Sequence, residues 1–333
     1  MSSAHLDATL EAAFVPVRSA IATGRIPGAV LGLVRADGTR GVRVAGQAQI
    51  VPAARPMQAS TWFDLASLTK VLFTTPHVLA LARAGVLDLD APLTSLLPDL
   101  RQYDASSWVR RVSFRQCLGH QTPFPAVEPI YTYGHDPDLL RAFVLQRDWR
   151  AGPNVYSDIN FILLGIALER HHGKRIREMD PGPGFAWSAP ADQAAATENC
   201  TWRHRVLSGE VHDDNTAALR GAGHAGLFGT VDAVLDHGLH LLRGGGDPLE
   251  HAALSATRTH GWERRYPGWP GGDSASAESI GHTGFTGTGL WVDAARGQAW
   301  ALLANRIHPT RHHDSGIADL RRIVGDIISE RGC

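Results

Sequence analysis

Beyond Leu65 the apolar residues return at three- and four-residue spacing, through Val71, Leu72, Leu79, Leu81 and Ala82, until Gly85 interrupts them. That period predicts a helix over 71–84, with a glycine at its end. The same period marks shorter helices over 139–146 and 161–171, the latter stopped by Gly173, and amphipathic helices at the two ends, over 1–20 and 314–330. Asp314-Ser315 supplies the cap of the last one. Extended character predominates elsewhere. Residues 28–35 and 42–50 flank the turn Ala36-Asp37-Gly38-Thr39 and read as a β-hairpin, and short strands are predicted over 281–283, 287–292 and 299–305.

Strands near both ends and helices between them imply an α+β protein. Its antiparallel sheet, flanked by helices, is built from residues 1–60 and 275–333, and a mostly helical region, 61–274, is inserted, with a crevice between the two. The segments 173–196 and 266–279, rich in Pro and Gly, read as long surface loops, and the chain carries no internal repeat.

Composition narrows the partners. In 333 residues, Lys and Arg number 32 against 33 Asp and Glu, so no global positive field draws nucleic acid, and the Arg-Arg pairs at 110, 264 and 321 are isolated. The first twenty residues carry Asp7, Glu11 and Arg18 among apolar positions and lack a basic start followed by a long apolar run. They read as neither an export signal nor an anchor, which leaves a cytoplasmic location and no membrane partner as the expectation. Cys117, Cys200 and Cys333 form an odd, widely spaced set that fits reduced thiols.

Three segments carry candidate chemistry. Ser67-Leu68-Thr69-Lys70 places a hydroxyl and an amine three residues apart, on one face of a helix, among Phe63, Leu65, Ala66, Leu68, Val71, Leu72 and Phe73. A lysine in such surroundings must find a partner or lose its proton, and a neutral amine could activate the serine. Tyr156-Ser157-Asp158 stands where a loop enters a helix, so that Tyr156 projects a hydroxyl or Ser157 and Asp158 cap the helix. His282-Thr283-Gly284 lies on a predicted strand, whose backbone could pair with a substrate. His212, Asp213 and His224 do not complete a metal-ligand set, and the adjacent His171-His172 and His312-His313 pairs point apart.

In this order, the phrases Phe63-Asp64-Leu65-Ala66-Ser67-Leu68-Thr69-Lys70, Tyr156-Ser157-Asp158-Ile159-Asn160 and Gly281-His282-Thr283-Gly284-Phe285-Thr286-Gly287 resemble the three signatures of the serine β-lactamase and penicillin-binding-protein-like hydrolases. The resemblance is to the class C side, with its DD-peptidase and family VIII carboxylesterase relatives, and spans nearly the whole chain. The segment from Gly209 to Asn215 and on to Phe228 is similar to another stretch of that family.

The resemblance implies the β-lactamase/transpeptidase-like fold and an acyl-enzyme on Ser67. Lys70 would be the activating group and Tyr156 the proton shuttle, with the choice of formal base between them open. The backbone N–H groups of Ser67 and Phe285 would form the oxyanion hole, while Asp158, His282, Thr283 and Gly284 would contact substrate, and no cofactor is required. Asp158 stands where β-lactamases have asparagine and can only accept hydrogen bonds when ionised. His282 stands in place of lysine, so its charge is expected to follow pH. His120-Gln121-Thr122-Pro123-Phe124 departs from the family's usual loop and leaves the cleft rim undefined. Together these changes favour a small ester over a β-lactam or a D-amino-acid or muropeptide peptide, and a non-catalytic sensor of wall fragments is the competing class.

Overall fold

β1 (Gly28–Arg35) is buried along its whole length, because both its edges and both its faces are covered. The computed structural model describes residues 3–332, so Met1, Ser2 and Cys333 lie outside the described residues. β2 (Arg40–Gln49) and β3 (Arg55–Pro56) follow β1 in the hairpin, with Arg35 N–H donating to Thr39 O across the turn. β4 (Phe63–Asp64), β5 (Phe185–Ala186), β6 (Ala196–Cys200), β7 (Arg205–Ser208) and β8 (Phe228–Gly229) form small sheets in the middle of the chain. β9 (Glu263–Arg264), β10 (Ile280–Thr283), β11 (Thr288–Asp293) and β12 (Gln298–Ala304) return to the main sheet. Its order is β3-β2-β1-β12-β11-β10-β9, antiparallel throughout.

The helices are α1 (Ser3–Ala22), α2 (Thr75–Arg83), α3 (Phe114–Leu118), α4 (Pro137–Gln146), α5 (Asp158–His172), α6 (Asp214–Leu219), α7 (Val231–Leu242) and α8 (Ile317–Arg331). Side chains alternate across the sheet and so divide between two cores. Ala29, Leu31 and Leu33 of β1, with Trp300 and Leu302 of β12, pack with Leu10, Phe14 and Val17 of α1 and Leu320, Val324 and Ile328 of α8. Val30 and Val34, with Ala299, Ala301 and Leu303, face α7 and the larger core, which continues into the helical region through Phe63, Phe73 and Phe161. The sheet layer therefore draws on the middle of the chain as well, through α7 and β9.

Two local expectations are corrected. The helix expected over 71–84, with Ser67 on its leading turn, is broken: Ser67 lies in a 3₁₀ turn over Ala66–Leu68, a π-helical turn over Lys70–Thr74 follows, and only then α2. Pro76 stands in the first turn of α2; its ring cannot donate a hydrogen bond and crowds the carbonyl four residues back, so the preceding turn widens. At α8 the cap is Gly316, in a left-handed conformation, and Asp314 accepts the Gly316 N–H rather than capping the helix itself.

α5 is buried on almost every side, from Ile159 to Glu169. Ser157 caps its start by accepting the Ile159 N–H, and Gly173 closes it at φ +62°. Gly165 matters to the site: a methyl group there would stand 2.6 Å from the Gly223 nitrogen, so only glycine lets the segment around Gly223 lie directly on the helix.

Candidate active site

Ser67 sits on a strained turn held from both sides. Ala66, just before it, has φ +47°, a conformation that side chains other than glycine seldom adopt. The Asp64 carboxylate accepts the Ala66 N–H at 2.9 Å and the His212 N–H at 2.7 Å, and burial raises the Asp64 pKa. Thr69 Oγ1 donates to Ala66 O at 2.7 Å and accepts the Leu227 N–H at 3.0 Å. Hydrogen bonds within the turn and to the segment 212–227 thus fix the position of the serine.

Lys70 is fully buried, and its amine bonds Ser67 Oγ at 2.9 Å, Asp158 Oδ1 at 2.8 Å and the His224 carbonyl at 3.0 Å. The carboxylate and the carbonyl only accept, whereas the serine hydroxyl can accept or donate. Burial is the largest influence and disfavours the charged form, but Asp158 and Tyr156 together outweigh it and the Lys70 pKa is raised, so the buried lysine has found partners instead of losing its proton. Asp158, expected on the substrate, therefore commits one oxygen to Lys70. The His224 carbonyl reaches Lys70 because Gly165 admits the segment around Gly223, and Thr74 Oγ1 donates to Gly223 O at 2.6 Å.

The Tyr156 hydroxyl interacts with both Ser67 and Lys70, and burial pushes its phenol upward. Its ring is surrounded by the Lys70 ammonium at 5.0 Å, the Arg258 guanidinium at 5.3 Å, the His120 ring at 4.3 Å and the His282 ring at 5.9 Å. His120 belongs to the loop whose sequence left the rim undefined; it is buried, at φ +52°, and its Nδ1 accepts the Ser157 N–H at 3.1 Å. His282 is 2% exposed and bonds the Thr283 carbonyl through Nδ1 at 2.9 Å, which places its proton on Nδ1. Burial, then the charges of Lys70 and Arg258, hold its pKa well below that of a free imidazole. The pH-dependent charge expected of His282 gives way to a neutral ring at physiological pH.

The His282-Thr283-Gly284 strand is fastened to the serine turn. Thr286 Oγ1 donates to Asp64 O at 2.7 Å and Thr288 Oγ1 to Leu65 O at 3.0 Å. A methyl group on Gly284 would stand 2.6 Å from Leu65 O and 2.1 Å from Thr288 Oγ1, so this approach also requires glycine. Among the described residues no group accepts the N–H of Ser67 or of Phe285. Both residues line a cleft of about 430 Å³ together with Tyr156, Asp158, His212 and Asp213. Phe285 is 48% exposed at its mouth, with Arg306 over its ring at 4.6 Å.

The cleft thus assembles Ser67, Lys70, Tyr156, Asp158 and Phe285, with His282 and Gly284 behind them. His212 lines the cleft and faces Glu198 at 3.0 Å, while the buried His224 faces Asp213 at 2.9 Å. Four contributors escaped the sequence reading. Asp64 and His120 lie inside phrases already singled out, whereas the His224 carbonyl and the approach of Arg258 have no sequence signal. The reduced thiols expected at Cys117 and Cys200 are free and buried. Among the described residues no helix is long and apolar enough to cross a membrane.

Comparison with known proteins bears on the family and the fold. A family model described as Beta-lactamase matches residues 16–322. A Bacillus subtilis protein named N-acetylmuramyl-L-alanine amidase is 28% identical over 310 residues, which is 76% of this chain and 69% of that one. An Escherichia coli K12 protein provisionally named D-alanyl-D-alanine carboxypeptidase is 24% identical, over 76% of this chain and 71% of its own. Among solved structures, a beta-lactamase from Sulfitobacter sp. EE-36 superposes with a TM-score of 0.73 over 99% of this chain and 98% of that one. At 19% identity, that likeness bears on the fold.

Proposed function

Because the chain belongs to the beta-lactamase family of serine hydrolases, we propose that Ser67 is its nucleophile and that it cleaves a small ester through an acyl-enzyme. The observation that carries this reading is the contact between the Ser67 hydroxyl and a Lys70 amine that is paired with Asp158. As Ser67 Oγ attacks the carbonyl carbon, its proton passes to Lys70 while Lys70 passes one of its own to Asp158. The ammonium is preserved and the negative charge moves from Asp158 to the substrate oxygen. The N–H groups of Ser67 and Phe285 receive that oxyanion, each donor contributing about 3 kcal/mol to the transition state. Collapse of the tetrahedral adduct expels the leaving alkoxide, which takes its proton from the Tyr156 hydroxyl; the proton held on Asp158 then returns through Lys70 to the Tyr156 oxygen, and water repeats the sequence on the acyl-enzyme with Ser67 Oγ as the leaving group. The protons of Lys70 and Tyr156 titrate as one coupled system.

Two features favour an ester over an amide. Asp158 holds Lys70 and, ionised, has no proton to offer a substrate amide carbonyl. The His282 ring is neutral and places no charge of its own beside an anionic substrate group. The names of the two relatives support a second reading, a peptidase or amidase acting on D-alanyl or muropeptide bonds.

Turnover of p-nitrophenyl butyrate, a D-alanyl dipeptide and nitrocefin by wild type and Ser67→Ala separates these readings. We expect the ester to turn over fastest, and the variant to lose at least about a thousandfold together with labelling by a fluorophosphonate. Labelling that survives in Ser67→Ala would falsify the nucleophile assignment. A faster dipeptide favours the peptidase, and acylation without product release favours the sensor.

A further inference from the structure

A second cavity, of about 500 Å³, lies on the other side of the segment that walls the catalytic cleft. Val211, Thr216 and Gly226 line it, while His212, Asn215 and Ala225, their neighbours in the chain, line the cleft; the two linings share no residue. Arg177, Arg203, Arg205 and Arg220 reach it, against a single acidic lining residue, Glu210.

Two of these arginines are already occupied. Arg205 holds Glu210 through two bonds, at 2.8 and 2.6 Å. Arg203 donates to the carbonyls of Val211 and His212 and to Asp214 Oδ1 at 2.6, 2.8 and 2.7 Å, while its buried Nε has no partner. Its side chain is 8% exposed. Arg177 and Arg220 form no ion pair within 4 Å among the described residues, although the Arg220 charge acts on the Asp136 carboxylate. They stand on different elements, Arg177 on the turn after α5 and Arg220 at the left-handed end of α6, so the fold brings two exposed cations without close ion-pair partners to one concavity from 43 residues apart. Trp187, its indole N–H held by the Met179 carbonyl at 2.9 Å, adds an apolar wall.

An exposed surface with interspersed charges needs no such arrangement, because isolated arginines are better solvated apart. A concave site of this volume with one aromatic wall, a few convergent polar groups and two guanidinium forks without close ion-pair partners matches a small anionic ligand. We propose that this cavity binds a small molecule carrying two or more oxyanion charges, of the phosphate or polycarboxylate class, independently of the acyl-transfer site. Arg177 and Arg220 contact the charges, Trp187 covers the remainder, and Arg203 closes the floor.

The experiment is isothermal titration calorimetry of the full chain with inorganic pyrophosphate and, separately, with citrate. Sodium chloride at matched ionic strength is the control. Saturable binding of one equivalent of either anion is expected, weakened about tenfold or more in Arg177→Gln and in Arg220→Gln, with ester turnover and melting temperature unchanged in both. Preference for pyrophosphate identifies the phosphate class, and preference for citrate the polycarboxylate class. Absence of saturable heat from both anions up to about 10 mM, reproduction of the heat by sodium chloride, or binding equally tight in both variants overturns the proposal. Each variant is read alone, so misfolding of one leaves the other to decide. Loss of ester turnover by Ser67→Ala has no bearing on this readout.

Discussion

Asp158→Asn removes the charge that keeps Lys70 protonated while leaving a side chain of the same shape. At the observed 2.8 Å, and with an effective dielectric constant of about 20, the ion pair is worth about 6 kcal/mol. Asp158 is 22% exposed, and solvent there reduces the figure; at about half, 3 kcal/mol, the ammonium form becomes roughly a hundredfold less favoured once the carboxylate is gone. Burial then acts on Lys70 with only Tyr156 against it, and the amine loses its proton at lower pH than in wild type. In wild type the proton that leaves Lys70 has a carboxylate to go to, so kcat/KM for p-nitrophenyl butyrate should run flat from about pH 6 to 9. In Asp158→Asn the lysine must begin neutral. An acid limb should appear, with activity at about pH 6 reduced about tenfold or more and recovering as pH rises. A flat profile in the variant, at wild-type rate, would show that Asp158 neither receives the proton nor sets the charge of Lys70.

Gly284→Ala drives a methyl group against Leu65 O and Thr288 Oγ1, which must separate the Phe285 N–H from Ser67; kcat/KM should fall about a hundredfold, and a loss under threefold would mean that the contact is not rigid. His308 accepts the Ile50 N–H at 2.9 Å, and burial with the charge of Arg55 depresses its pKa to about 4. A depressed folded-state value confers stability that is complete above the unfolded imidazole's value and is lost as pH falls through that of the folded state. The loss therefore falls between about pH 6.5 and 4 and amounts to about 3 kcal/mol; urea midpoints across that window should drop less in His308→Gln than in wild type. The Arg141–Glu169 pair is almost fully buried and bonded at 2.7 and 2.8 Å, and Arg141→Met strands the carboxylate. That should cost about 3 kcal/mol in urea denaturation, the low end of such losses because Ile176 N–H and Arg175 still reach Glu169. Adding Glu169→Leu should recover part of it, and a double variant weaker than the single one would contradict the attribution to a stranded charge.

Most of the frame was legible in the chain. The hairpin after Gly28, the three returning strands and the closing helix follow from alternation and apolar period, because each buries a face whose pattern is local. Ser157 as a cap and Gly173 as a stop were equally readable. The break of the helix after Ser67 into 3₁₀, π and α turns was missed, although Pro76 is its local cause. At the active site the tetrad and its companions were recognisable as types and order, but not the partners each would take.

What the sequence determined by itself is therefore the inventory: a serine and a lysine at three-residue spacing, a tyrosine at a helix entry, a glycine-bearing strand, and an aspartate in the second motif. Only the tertiary structure decided their states. Lys70 remains an ammonium because α5 brings Asp158, and Gly165 admits the His224 carbonyl, from 88 and 154 residues away. His282 is neutral because the same fold removes it from water beside two cations. A local pattern specifies which groups exist and which face they share. The charge a group carries depends on its desolvation and on charges within a few ångströms, and both are set by contacts between segments distant in the chain.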